Sequence, residues 1–347
     1  MSEKIIRKNI NNFTHTGNEI FYTQESSIYT FNLRTKENDL LFESEEKLQE
    51  IYFRNDMAFT NTIHGDGILI ANDEVHFLKG FNIRDVLGDH ELLCFHDKKT
   101  VIYDFANQTI KSFMQDKAFK YYLDSRQIFY AVENSIKSCD LTNSEFLWEF
   151  DVSELGKFIP NFRTEYELGK ATKIVGTYRN QIIASITAQK IIGLDVDSGR
   201  LLWVKDSIDL NSTNDSSITS LQGNNRILDQ QNGLIHIFQG KFFTTLNIDT
   251  QKTEVKWYSE KKVYIRQASI LDNCKILFTA HRPENAGNDD MVGVFDIKRN
   301  SIIWHHVLDF EKGGFIPYSR TAILAHENNI FVLDFQGNLY VIESNAL

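Results

Sequence analysis

Short runs of alternating apolar and polar residues, separated by polar turns, recur along the whole chain. Each run is rich in Ile, Val, Phe, Tyr and Leu, which is typical of half-buried β-strands. The runs form pairs joined by tight turns: 19–23 with 28–33, 91–96 with 100–105, 128–132 with 135–139, 181–186 with 190–194, 233–239 with 241–248, 275–279 with 291–295, and 330–335 with 339–343. No helical stretch of roughly 10–15 residues separates them, which argues against a parallel βαβ sheet. The pattern predicts an all-β protein.

A repeated Asp and Trp mark the turn that follows three of these pairs. The Trp comes eight positions after the Asp in each copy, namely Asp140 and Trp148, Asp195 and Trp203, Asp296 and Trp304. The Asp can accept backbone N–H bonds in the turn, and Gly199 can supply a positive φ there. We interpret all seven residues as structural, with each Trp packing against the next repeat. Self-similarity at intervals of about fifty residues predicts a repeat architecture.

One further strand on each side of a pair gives a four-stranded antiparallel blade, with strands A, B, C and D in chain order. The sequence thus predicts a single β-propeller domain over residues 1–347. The strand pairs indicate seven blades. An additional hairpin, 67–72 with 74–79, leaves eight as the alternative, although it lies close to the next pair. The last repeat lacks a D strand, so we expect residues 1–11 to supply its outer strand and close the ring.

The segment 194–203, Leu-Asp-Val-Asp-Ser-Gly-Arg-Leu-Leu-Trp, resembles the repeat of PQQ-like (pyrroloquinoline-quinone-type) β-propellers, Asp-x-x-Thr-Gly-x-x-x-Trp. The copies at Asp140 and Asp296 have Ser144 and Asn300 in place of the glycine. The resemblance implies a propeller fold, comparable to that of WD40-like repeats. Quinone-dependent dehydrogenases of this family use adjacent cysteines and a calcium-holding carboxylate set. This sequence has no adjacent cysteines, so the resemblance implies a non-quinoprotein member without a cofactor.

Composition and charge narrow the classes of partner that the protein is expected to bind. The formal charge is −10, and no dense cluster of Lys and Arg suits a phosphate backbone, so nucleic acid is not expected. The three cysteines are odd in number and scattered, which indicates buried, reduced thiols. No apolar run is long enough for a signal peptide or a membrane span. We therefore expect a cytoplasmic monomer that binds no membrane. The adjacent His305 and His306 would point to opposite faces of a strand, so no metal site is predicted.

A second repeated motif lies in two of the connections from strand D to the next strand A. Phe-Ile-Pro is followed by Arg-Thr in both 158–164 and 315–321. We predict that the loops are anchored by four residues: Phe158, Pro160, Phe315 and Pro317. Related segments place an arginine after an apolar pair, which gives four candidate binding residues: Arg54, Arg163, Arg266 and Arg320. Guanidinium groups bind carboxylates bidentately, so such a cluster would select an anionic group. The alternative is that each arginine pairs within the fold and serves only packing.

The sequence contains no constellation typical of catalysis. It therefore predicts a non-catalytic cytoplasmic interaction scaffold that binds a protein or peptide, through an acidic group, on the face of the D–A loops. The alternative is an enzyme or a binder of a small anionic ligand at the channel mouth. In that case Arg163 and Arg320 would hold the anion, and Glu165 or a channel histidine would act as a base.

Overall fold

The computed structural model describes residues 3–72, 74–114, 116–159, 165–209, 221, 225–258, 263–272, 274–282, 285, 287–310, 314–317, 322–345 and 347. The strands in this part of the chain are β1 (Glu3–Arg7), β2 (Asn12–Thr16), β3 (Glu19–Gln24), β4 (Ser27–Asn32), β5 (Asn38–Glu43), β6 (Tyr52–Arg54), β7 (Met57–Asn61), β8 (Gly67–Ala71), β9 (Glu74–Leu78), β10 (Asn82–Val86), β11 (Glu91–His96), β12 (Lys99–Asp104), β13 (Thr109–Met114), β14 (Lys120–Leu123), β15 (Gln127–Val132), β16 (Ser135–Asp140), β17 (Phe146–Asp151), β18 (Lys157–Phe158), β19 (Glu167–Leu168), β20 (Ala171–Tyr178), β21 (Gln181–Ile186), β22 (Ile191–Asp195), β23 (Leu201–Lys205), β24 (Arg226–Asp229), β25 (Leu234–Gln239), β26 (Phe242–Asn247), β27 (Thr253–Trp257), β28 (Tyr264–Asp272), β29 (Lys275–His281), β30 (Met291–Asp296), β31 (Ser301–Val307), β32 (Ile323–His326), β33 (Asn329–Leu333) and β34 (Leu339–Glu343). Two short 3₁₀ turns cover Val152–Leu155 and Thr187–Gln189.

These strands form eight four-stranded sheets within the described ranges, the blades of a β-propeller. Blades 1 to 7 are consecutive meanders: β2–β5, β6–β9, β10–β13, β14–β17, β20–β23, β24–β27 and β28–β31. Blade 8 has the order β1-β34-β33-β32. The remaining strands, β18 and β19, form a separate two-stranded hairpin in the D–A connection after blade 4.

The prediction of seven blades is wrong, and the alternative of eight is confirmed. The hairpin at 67–79 is strands C and D of a complete second blade, β8 and β9. Its strand A, β6, has only three residues, and residues 79–81 alone connect β9 to β10. Gly80 turns this connection with a φ of 78°, and its N–H donates to the Asp66 carboxylate. Because this turn is so short, a whole blade fits where the spacing of the strand pairs along the sequence had indicated too little room.

The N-terminal strand completes blade 8, as the closure hypothesis requires. β1 pairs antiparallel with β34, with Glu3 opposite Ile342 and Arg7 opposite Leu339. The backbone N–H of Ile10 then donates to the Gly337 carbonyl at 3.0 Å. Pairing with β1 gives β34 a hydrogen-bonded neighbour on each side, so that β34 is not left as a sheet edge.

The described chain divides into two compact units. The first comprises Met1–Lys111, Ile276–Phe295 and Ile302–Leu347, and it contains blades 1, 2 and 8 whole. The second comprises Ser112–Lys275 and Asp296–Ser301, and it contains blades 4, 5 and 6 whole. None of the helical turns in the described part of the chain is long and apolar enough to cross a membrane.

The core lies in apolar layers between the facing sheets of neighbouring blades, and we call each such layer a seam. In the second unit, Ile183 and Trp203 of blade 5 pack with Ile235 of blade 6. In the first unit, Phe21 of blade 1 packs with Ala58 and Ile68 of blade 2. Side chains alternate between the two faces of a strand, so one sheet contributes to two seams.

Candidate functional site

The turn between strands C and D has one backbone conformation in six blades. An Asx residue ends strand C, and the residue four positions later has a positive φ: Asn32 and Lys36, Asp104 and Gln108, Asp140 and Ser144, Asp195 and Gly199, Asn247 and Gln251, Asp296 and Asn300. The Asx side chain accepts backbone N–H bonds within the turn, for example from Ser198 to Asp195 at 2.9 Å. The hydroxyl and the N–H of Ser198 lower the pKa of the Asp195 carboxyl. These carboxylates are therefore occupied by the turn itself.

The repeated tryptophans are buried, and Trp148 and Trp203 lie in seams. Trp148 is 6% exposed, and its indole N–H donates to the Val196 carbonyl of blade 5 at 2.7 Å. Its ring lies against Gly199, where a Cβ would be 2.4 Å from a ring atom. Gly199 has a φ of 68°, so the glycine serves both the turn and the packing of the ring. Trp203 is 7% exposed and donates to Gln181 Oε1 at 2.7 Å. Trp304 is 9% exposed.

The hairpin β18–β19 carries the first of the two Phe-Ile-Pro segments. It pairs Lys157 with Leu168 and Phe158 with Glu167. Apolar side chains beside it are open to solvent: Ile159 is 44% exposed, Tyr166 67% and Leu168 43%. By strand alternation these three share a face with Lys157, and Phe158 points to the other face. The D–A connection therefore presents an apolar face that no blade covers among the described residues.

Phe158 holds this hairpin to the rest of the second unit. A Cβ on Gly169 would be 3.1 Å from the Phe158 ring and 2.5 Å from the Val152 carbonyl, so only a glycine allows this approach. The Lys190 ammonium lies 4.5 Å from the ring centroid, a cation–π contact, and 3.5 Å from Asp206 Oδ2. The anchoring role of Phe158 stays a prediction. Pro160 and Arg163 lie outside the described residues.

The second Phe-Ile-Pro segment is hydrogen-bonded to the backbone of blade 7 beside two buried acidic residues, Asp289 and Asp290. Phe315 stacks on Phe335 with ring centroids 4.7 Å apart, and the Ile316 N–H donates to the Asp289 carbonyl at 2.8 Å. Asp289 is 1% exposed; its carboxylate accepts from Thr279 Oγ1 at 2.7 Å. Pro317, the other predicted anchor, follows in this half-buried segment.

The neighbouring carboxylate, Asp290, is engaged within the loop between strands B and C of blade 7. Its Oδ2 atom accepts two bonds from the Arg282 guanidinium, at 2.9 and 2.7 Å, and one from Asn285 at 2.6 Å. Asp290 is 4% exposed. The Asp290 carboxylate therefore holds this loop together internally, while the backbone carbonyl of Asp289 joins the loop to the Phe-Ile-Pro segment.

Two of the four candidate arginines are described, and both lie in A strands rather than in loops. Arg54 ends β6, and its Nη1 atom lies 2.9 and 2.8 Å from the two carboxylate oxygens of Asp85. Arg266 is half-buried in β28 and has interaction partners of its own. Arg320 lies outside the described residues, as does Arg163. Arg54 is thus paired with a carboxylate of the neighbouring blade. The binding role of all four arginines stays a prediction.

Other chemical groups are few in the described part of the chain. It contains no group of three or more His, Cys, Asp or Glu side chains that could hold a metal ion. Cys94 and Cys139 are buried thiols, Cys274 is half-buried, and burial raises the pKa of the Cys94 thiol. Glu165, the candidate base of the enzyme hypothesis, is exposed on the hairpin segment. The exposed face of Ile159, Tyr166 and Leu168 was missed from the sequence, although the apolar residues around Glu165 were a usable signal.

Comparisons with known proteins support the fold. No protein-family model matches this chain, and no curated protein matches it. Among solved structures, Sqt1 from Saccharomyces cerevisiae has a TM-score of 0.61 at 9% identity, covering 99% of this chain and 97% of that one. The computationally designed Ika8 protein has a TM-score of 0.56 at 10% identity, covering 97% and 96%. BamB from Moraxella catarrhalis has a TM-score of 0.45 at 10% identity, covering 99% and 98%. Together with the eight sheets, the first two similarities show a β-propeller.

Proposed function

We propose that this propeller is a non-catalytic interaction scaffold that binds a protein or peptide with the hairpin β18–β19. The observation that carries the proposal is the exposed apolar face of Ile159, Tyr166 and Leu168 on a hairpin that belongs to no blade. Clustered exposed apolar side chains on a rigid scaffold are typical of recognition surfaces. Tyrosine in particular offers a large contact area and few rotatable bonds.

The chemistry of the hairpin suggests what the partner presents. Lys157 is exposed beside Leu168, and Arg163 belongs to the same segment of sequence. A partner segment with apolar side chains next to a carboxylate would complement both the apolar face and these cations. Because Phe158 is fixed by Gly169 and Lys190, the strands of the hairpin lose little conformational freedom on binding.

Capture experiments with three purified double variants test this function. Tyr166→Ser with Leu168→Ser removes the apolar face, and Arg163→Ala with Arg320→Ala removes the proposed anion-binding groups. Leu202→Ser with Val204→Ser is the matched control, because these side chains are each 39% exposed on a D strand. We expect the first variant to lose a partner that the control retains, and the second to weaken its binding by about tenfold. Partner sets that do not differ between the hairpin variant and the control would refute the proposal.

A further inference from the structure

The seam between blades 1 and 2 is incompletely filled. It contains a cavity of about 360 Å³ at the end of the blades where the A–B and C–D turns lie. Phe21, Phe53 and Ile70 line its apolar part, and the two rings are stacked with centroids 5.8 Å apart. Glu19 and Asp56 stand among its polar lining residues. The cavity therefore combines aromatic walls with carboxylates, which a simple packing defect does not need.

The cavity lies where blade 5 has its tryptophan. In blade 5, Ile183, Gly193 and Trp203 are cross-strand partners and share one face. The corresponding row in blade 1 is Phe21, Thr30 and Asp39. The bulge between strands C and D comes beside Leu194 in blade 5 but beside Ile28 in blade 1. Leu40, eight positions after Asn32, therefore pairs with Tyr29 instead of Thr30 and is 54% exposed. No aromatic side chain of strand D occupies this row: Phe42, the aromatic residue of β5, lies opposite Ile28 and packs against the seam there.

Glu19 occupies the place of the residue that holds the indole in blade 5. Gln181 starts strand B opposite Asp195, and its Oε1 atom accepts the N–H of Trp203. Glu19 starts strand B opposite Asn32 in the same way. Within the described ranges, neither Glu19 nor Asp56 has a side-chain hydrogen bond or an ion pair. An acceptor that serves an internal donor in blade 5 is thus a free carboxylate in blade 1.

We propose that this cavity is a second docking site, which receives an arginine side chain of a partner protein. A guanidinium is planar and weakly hydrated, so it can stack on Phe21 and Phe53 while its N–H groups donate to Glu19 and Asp56. Its methylene stem would lie along Ile70 and Leu41, which also line the cavity. The volume suits one long side chain with its flanking backbone. The net charge of −10 favours the approach of a cationic segment.

The cavity is separate from the proposed function of the hairpin, because different residues build it and it has a different chemistry. The hairpin β18–β19 belongs to the second unit, and the cavity is built from the first unit alone. Either site can exist without the other.

Methyl NMR with a defined peptide pair tests the docking site. The probe is N-acetyl-Leu-Arg-Leu amide, and its matched control carries citrulline, which keeps the shape of arginine and removes its charge. We expect the arginine peptide to shift the methyl signals of Ile70 and Leu41 with a Kd of about 1 mM, which corresponds to a single anchor. The citrulline peptide should bind at least about tenfold more weakly, and added salt should weaken the arginine peptide alone.

Protein variants test whether the carboxylates of the cavity are responsible for binding the arginine peptide. Glu19→Gln introduces the residue type that blade 5 has at this position, and it should weaken binding of the arginine peptide about tenfold. Asp56→Asn keeps a residue that tolerates the positive φ of 59° and should weaken it about threefold, which gives a second test if Glu19→Gln folds poorly. Glu43→Gln, on the exposed strand β5, should have no effect. The Tyr166→Ser and Leu168→Ser variant should bind the peptide like the parent, which separates this site from the hairpin. Equal binding of both peptides, no binding at the cavity, or full binding by both carboxylate variants would overturn the inference.

Discussion

The seam between blades 5 and 6 and the seam between blades 1 and 2 have the same four-stranded frame but different contents. In the first, Trp203 fills the layer beside Ile235 and donates to Gln181. In the second, a shifted bulge turns Leu40 out to solvent and leaves a cavity of about 360 Å³. The difference shows that the fold tolerates an unfilled seam, because a propeller blade is also held by its own strand ladder. Seam packing and ligand binding thus compete for the same positions.

Shortening one side chain in each of the two D strands should distinguish the filled seam from the open seam most clearly. Trp203→Ala removes a buried aromatic side chain, which typically costs about 3–5 kcal/mol of unfolding free energy. Leu41→Ala should cost less than about 1 kcal/mol, because Leu41 is 37% exposed beside the cavity. Urea unfolding monitored by circular dichroism measures both. Similar losses for the two variants would contradict the distinction between a filled and an open seam.

A methyl group at Gly199 tests how tightly the seam between blades 4 and 5 is packed. Gly199→Ala combines a positive φ with a Cβ only 2.4 Å from the Trp148 ring. We expect a loss of about 2–4 kcal/mol, from backbone strain and overpacking together. The matched variant is Gly240→Ala, which also has a positive φ but no atom within 4 Å of the added Cβ. It should lose only the strain, about 1 kcal/mol. Equal Tm values for the two variants would show that the Trp148 ring yields freely.

Lowering the pH should reduce the free energy of unfolding through buried His236 in blade 6, and it should leave the open seam between blades 1 and 2 unaffected. His236 has no exposed surface, and burial lowers its pKa to about 4, against an opposing effect of the Asp229 carboxylate 3.9 Å away. The unfolded state binds the proton more readily than the folded state. The contribution of neutral His236 to stability is therefore complete above about pH 6.5 and falls as the pH drops towards 4. The expected loss is about 2–3 kcal/mol. Unfolding free energies measured from pH 7 to pH 4 should show a smaller slope for His236→Asn than for the parent. Leu41→Ala should keep the parental slope.

Partial filling of the open seam should have the smallest effect. Leu41→Phe adds apolar surface over the cavity and should stabilise the protein by about 0.5 kcal/mol. Thermal unfolding can detect this as a rise in Tm of about 1–2 °C. The same variant should weaken the arginine peptide, since the added ring occupies part of its site. A clear fall in Tm would show that the cavity cannot accept a larger side chain.

The strands and the repeat could largely be predicted from the sequence, because alternating apolar residues and the Asp–Trp spacing leave a local signal. The turns at Asn32, Asp104 and Asn247 have the same conformation without a glycine or a well-placed tryptophan. Positive φ at Lys36, Gln108 and Gln251 costs only about 1 kcal/mol each, so a wide range of residues is tolerated there. Their sequences consequently carry little trace of the turn.

The blade count and the cavity could not be predicted in this way. Blade 2 was obscured because β6 is three residues long and residues 79–81 suffice to connect β9 to β10. The cavity depends on which residue of β5 lies opposite Thr30, and a two-residue displacement of the bulge relative to blade 5 decides it. Such a displacement changes no residue type. Long-range register, rather than composition, determines where this protein has space for a ligand.

The pairing of β1 with β34 also constrains how the protein is made. Glu3 and Ile342 are adjacent in blade 8 but are separated by almost the whole sequence. During translation, β1 leaves the ribosome early and has no partner until the last blade has been synthesised. Contacts of such high sequence separation form slowly, and unpaired strands are prone to misassembly meanwhile. Closure of blade 8 therefore has to wait until β34 has been synthesised, and chaperone protection of β1 is most valuable before that point.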